Sequence, residues 1–151
     1  MKKIKVTIWN EFVHERSEGK LGDYVRQIYP DGIHNCLKTA LQADDLELRA
    51  VSLDMPEQGL PDPLLNDTDV LVWWGHCAHG QVEDSLVDRI QYRVLHGMGL
   101  IVLHSGHMSK IFRRMMGTAC RLRWREVGEK ERLWVVDPTH PVAQGLPETF
   151  V

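Results

Sequence analysis

His76-x-x-His79 and His104-x-x-His107 are two imidazole pairs at the same spacing, each directly after an apolar run of the chain. Imidazole is the commonest side-chain metal ligand, and a catalytic Zn²⁺ takes three protein ligands plus water. His76, His79 and His104 are therefore the candidate metal ligands, and a divalent ion, Zn²⁺ first, is the candidate cofactor. His104 and His107 are also candidate acid–base groups. Glu11 and His14 follow a third apolar run and either complete such a site or act as general base. Against this stands the ordinary use of a loop imidazole, which is to hydrogen-bond loop carbonyls. A second chemistry is nucleophilic. Ser105 lies between His104 and His107, and Cys77 lies beside His76. The hydrolase elbow wants glycine two residues before its nucleophile, and here that residue is Leu103. Neither Ser105 nor Cys77 makes an identifiable triad.

These groups need a scaffold that brings them to one edge. Residues 69–74 and 99–103 are short, apolar on both faces and rich in branched side chains, which predicts buried parallel strands. Residues 4–9 alternate loosely and form a first strand, and 46–53 form another. If the strands run parallel, His76, His79, His104 and His107 share a crevice at the carboxyl end of one sheet. Apolar positions Ile33, Cys36, Leu37, Ala40 and Leu41 predict an amphipathic helix, with His34 off the stripe as a surface residue or a first-turn residue near the loop, and a secondary site candidate. A helix over 82–96 carries acids early and bases late, so His96 compensates its dipole. A helix over 108–116 ends at Gly117. Residues 17–22 read as a polar loop, 54–67 as a loop with one helical turn at Leu64-Leu65, and 120–136 as a hairpin or bent two-strand extension. Asp137-Pro138-Thr139-His140-Pro141 is a loop stiffened by two prolines. The succession predicts an α/β fold with a mostly parallel sheet flanked by helices.

The chain has 151 residues, the length of one domain, and a net charge of -3. No basic stripe stands out beyond 121–125, which argues against a nucleic-acid partner. Neither a signal peptide nor an apolar run long enough for a membrane helix is present, so no membrane is expected as partner. Three cysteines without framework spacing suit reduced thiols and a cytoplasmic location. There is no G-x-G-x-x-G or phosphate-loop motif, and no nucleotide is expected.

Together Val6–Glu11, Tyr29–His34, Trp73–His79, Gly97–His107, Gly128–Arg132 and Asp137–Pro141 resemble the trehalose-utilization (ThuA-like) family, in order and over nearly the whole chain. The resemblance implies a flavodoxin-like fold, similar to class I glutamine amidotransferases: a three-layer α/β/α sandwich. Laid on that fold's Gly-x-Cys-x-Gly elbow, the cysteine position falls on His104, so glutamine hydrolysis is not expected. The resemblance further implies a small-molecule sugar as ligand, trehalose or a related disaccharide or its keto form. Family members run past the point where this chain ends, which leaves open a missing C-terminal part.

The expectation is thus a cytoplasmic protein of disaccharide utilization, one domain over residues 1–151, with a histidine-rich, metal-dependent site. Trp74 is the candidate to stack on a sugar face, and Arg132 and His140 to line the rim. Two alternatives stay open: a non-catalytic sugar-binding or regulatory module, and a serine or cysteine hydrolase. A homo-oligomer is also open.

Overall fold

The computed structural model describes residues 2–125 and 127–151. Its first compact unit runs to Arg121 and its second spans Leu122–Val151, where the sequence alone suggests one domain.

In the first unit, strand β1 (Ile4–Asn10) lies inside a parallel sheet, between β2 (Leu46–Ser52) and β3 (Val70–Trp74), and β4 (Gly99–Val102) adds beside β3. All five residues from Val6 to Asn10 are buried, which is why this strand shows so weak an alternation. Its two faces enter different cores. Val6 and Ile8 join Val72 and meet Leu37 of α2 (Ile33–Ala40). Trp9, with Leu71 and Trp73, meets Leu86, Val87 and Ile90 of α4 (Asp84–Leu95) and Ile111 of α5 (Lys110–Met116). Leu65 of the short α3 (Asp62–Asn66) joins this second core. Helices thus cover both faces, giving the three-layer, flavodoxin-like α/β arrangement. Trp9 and Trp73, paired in register, stack with ring centroids 3.7 Å apart and planes 8° from parallel.

The expected strands are found, but β4 is not the buried centre that its composition suggests. It is an outer strand of the four, and Ile101 is 52% exposed. A run of branched residues looks the same at an edge as in the middle; only the count of neighbours distinguishes them. The helix α1 (Lys20–Ile28) overlaps residues expected to be loop. Leu21, Val25 and Ile28 carry the helical spacing that announces it, and Gly22 lets it close on the preceding turn. A Cβ at Gly22 would stand 1.8 Å from the Ser17 carbonyl oxygen. Helix α5 ends as expected, with Gly117 in the left-handed region at φ 67°. His96 caps α4 as expected, its Nδ1 2.7 Å from the Tyr92 carbonyl.

At the amino ends of the strands, Lys5 and Arg49 pair with Asp67, and Arg49 also with Glu47. The loops that follow β1 and β3 leave from the other end of the sheet. Among the described residues no helix is long and apolar enough to cross a membrane.

In the second unit, β5 (Leu133–Trp134) pairs antiparallel with β6 (Thr149–Phe150). The hairpin expected over 120–136 is therefore corrected: the partner of Leu133 is Phe150, and residues 120–125 and 127–132 form no strand. Arginines alternating with Leu122, Trp124 and Val127 imitate a strand pattern, but those apolar side chains are exposed and gain nothing from pairing.

Candidate functional site

The site is built where β1 and β3 end. The backbone N–H of Glu11 donates to the Trp74 carbonyl (3.2 Å), which ties the two exits together. The Glu11 side chain then turns inward and is 1% exposed. Its Oε1 accepts from the Cys77 N–H (2.9 Å) and the Cys77 thiol (3.2 Å), and its Oε2 from the Ala78 N–H (2.9 Å). Burial pulls this carboxyl up. The amides of Cys77, Ala78 and His76, with the thiol, outweigh it and leave the group below its ordinary value. Glu11 is therefore ionised with most of its lone pairs engaged. That suits an anchor or a ligand better than a proton acceptor.

The same contact decides what Cys77 can do. Burial, then the bond to Glu11 and its charge, push the thiol up to about 11. Reactive cysteines have lowered values, so Cys77 at neutral pH is a poor nucleophile.

Phe12 bends the chain back over β3. It adopts φ 53°, its N–H donates to Asn10 Oδ1 (2.8 Å), and Arg16 Nε donates to its carbonyl (2.9 Å). His14 is carried onto His76: Nε2 of one lies 2.8 Å from Nδ1 of the other, so one ring donates and the other accepts. The half-buried Trp74 lies edge-on to His14, centroids 6.1 Å apart. Trp73, its neighbour, belongs to the core. Among the described residues, Glu11, His14 and Cys77 form the group whose potential ligand atoms lie within 4.8 Å of one another. The trio His76, His79 and His104 is not that group.

His79 is half-buried beside Gly75, and its buried Nε2 has no hydrogen-bond partner among the described residues. Burial pushes its pKa down. Glu11 opposes this, and His107 and His76 reinforce it. Three of the expected groups, Glu11, His76 and His107, thus lie within electrostatic reach of His79. His104 is exposed at the head of a 3-10 turn, His104–Met108, and meets His107 through its carbonyl, 3.3 Å from Nδ1, and not through its ring. Ser105, in the same turn, has no hydrogen bond to an imidazole among the described residues. Arg132 and His140 belong to the second unit. Arg132 Nη1 lies 3.5 Å from Thr149 Oγ1, and His140 Nδ1 accepts from the Val142 N–H (3.2 Å).

His34 lies in the first turn of α2, one of the two places expected for it, but it is 3% exposed and not a surface residue; its Nδ1 accepts from Asn10 Nδ2 (3.1 Å). Asn10 Nδ2 also donates to Glu15 Oε1 (2.9 Å). The signal in the sequence was Asn10 itself, a polar residue at the end of a strand with no exposed face.

The chain matches none of the curated proteins it was compared with. The family model described as ThuA, trehalose utilisation, matches residues 5–151, and so takes in both compact units and every crevice residue named above. The chain belongs to the ThuA trehalose-utilisation family.

Proposed function

We propose that the crevice at the ends of β1 and β3 holds a divalent metal and acts on a sugar or keto-sugar in trehalose utilisation, in the cytoplasm. The observation that carries this reading is the convergence of a carboxylate, an imidazole and a thiol at Glu11, His14 and Cys77. Oxygen, nitrogen and sulfur donors of this kind are what Zn²⁺ takes. His79 Nε2, buried and without a hydrogen-bond partner among the described residues, is a further donor-type atom of the same loop, outside that group. The thiol proton has to leave when a metal arrives, so binding should strengthen as pH rises. A bound metal would supply Lewis acidity toward a carbonyl or hydroxyl oxygen of the sugar.

The protein groups supply the rest. Glu11 fixes the loop 75–78 and brings negative charge. His14 and His76 make one N–H···N hydrogen bond between their rings, which links the Glu11–His14–Cys77 group to solvent-exposed His76. Burial favours neutral His79, whose Nε2 can then take a proton or a hydroxyl hydrogen bond. Trp74 offers an apolar face beside His14. A second reading, a sugar-binding module without chemistry, is favoured by one fact: the carboxylate that could serve as base already accepts two amides and a thiol.

Elemental analysis of untagged protein, with Zn²⁺ and Mn²⁺ titrations of wild type, His14→Ala and Cys77→Ser, tests the proposal. One metal per chain, lost in both folded variants, is expected. Wild-type protein that takes up neither ion would remove the metal. Turnover of a keto-disaccharide, against mere retention of it, separates the two readings.

A further inference from the structure

Glu15 is 4% exposed, and its two carboxylate oxygens are treated very differently. Oε1 accepts from Asn10 Nδ2 (2.9 Å) and from the N–H of Ile33 (3.1 Å), the first residue of α2. Oε2 is buried and has no partner among the described residues. Its backbone carbonyl is taken by Arg26 Nη1 (2.7 Å). The segment from Glu11 to Glu15 is thereby clamped at both ends: Glu11 into the amides after β3, Glu15 into the first turn of α2. His14 lies between the clamps. His34 completes the second one, held by Asn10 and edge-on to Phe12, with ring centroids 5.1 Å apart. A carboxylate with one buried oxygen unsatisfied among the described residues is a poor choice for stability alone, since a buried polar atom without a partner loses its hydration for nothing in return.

We propose that Glu15 and His34 are positioning residues that hold His14 against His76. This rests on the reading of the crevice as a site, but its geometry can be tested without a metal. Glu15 cannot act on a ligand itself, because it is buried and its Oε1 is taken by Asn10 Nδ2 and the Ile33 N–H. Its effect passes through the conformation at Phe12 and the place of the His14 ring.

The test uses the full chain with ¹⁵N-labelled imidazoles, ligand-free, and then Zn²⁺ titration by calorimetry. Variants are Glu15→Gln, which keeps the Oε1 acceptor, Glu15→Met, which keeps the volume, and His34→Phe, which keeps a ring. Wild type should show His34 Nδ1 as an unprotonated acceptor and coupled His14 and His76 signals. Glu15→Met and His34→Phe, folded by circular dichroism, should lose the His14–His76 signature and bind Zn²⁺ about 10- to 100-fold more weakly, the usual range for groups that orient ligands. Glu15→Gln should restore the signature. Retention of the signature in both folded variants would overturn the proposal. So would failure of both to fold, since the cluster would then be core and nothing more. If wild type binds no Zn²⁺, the metal reading fails alone, and the imidazole signals still decide the positioning.

Discussion

Replacing Glu11 by glutamine tests the electrostatics of the crevice most directly. The wild-type carboxylate takes the Cys77 and Ala78 amides, both at 2.9 Å, and the Cys77 thiol. Glutamine can satisfy one of the two amides; its NH₂ then faces the other N–H. A bond to a charged acceptor contributes about 1.5–3 kcal/mol, and an orphaned buried donor costs a similar amount, so the variant should lose about 3 kcal/mol. For a chain of this size that lowers Tm by about 6–12 °C. The sign with pH follows from the direction of the shift. Glu11 lies below its ordinary value of 4.5 when folded, so its contribution is complete above that value and fades as pH falls through the folded one. The gap between wild type and variant should be widest at neutral pH and narrow under acid. The thiol gives a second readout. Without the carboxylate, Cys77 should fall from about 11 toward 9.0 without reaching it, because burial, the largest cause, remains. Denaturant unfolding across pH checks the first effect. Thiolate absorbance, with Cys36 and Cys120 changed to serine, checks the second. A pH-independent gap together with an unmoved thiol would refute the account.

Gly22→Ala should destabilise by about 1–3 kcal/mol despite alanine's better helix propensity, because its Cβ would meet the Ser17 backbone; a rise in Tm would show that the 17–19 turn yields freely. Ile101→Lys should change unfolding free energy by less than about 0.5 kcal/mol, as expected of an exposed edge position; a loss of several times that would restore β4 to the interior. Ser109→Ala should cost about 1 kcal/mol, since Ser109 Oγ accepts the Phe112 N–H (3.3 Å) at the start of α5. Chemical denaturation at neutral pH measures each.

The parallel strands and the helices α2, α4 and α5 were legible because burial on two faces and a 3.6-residue stripe leave direct marks in the sequence. Strand order left none: Leu100, Ile101 and Val102 are as apolar as Val70, Leu71 and Val72, yet one strand is outermost and the other is not. The crevice residues were legible as polar groups after strands. Their partners were not. Spacing suggested that His76, His79 and His104 would converge, but the turn after β3 hands Cys77 to Glu11, and the turn after β4 leaves the His104 ring outside. Such outcomes depend on which amides point at a carboxylate, and Phe12 in the left-handed region sets that for His14. Glu15 was hidden because a polar residue in a loop ordinarily reads as solvated, and for His34 the first turn was legible but its burial was not.

The stitching of Glu11 to Cys77 and Ala78 spans 66 and 67 positions of sequence, and the His14–His76 contact spans 62. During synthesis β1 emerges before both neighbouring strands, so its edges stay unpaired until β2 and then β3 are made. Its Trp9 face waits longer still, for α4 and α5. Loop-closure entropy comes due before any of these distant contacts reward it, which slows folding and leaves an apolar strand open to the wrong partners. Chaperone dependence in the cell, and refolding yield that falls as protein concentration rises, are the expected marks of a sheet whose inner strand is made before its neighbours.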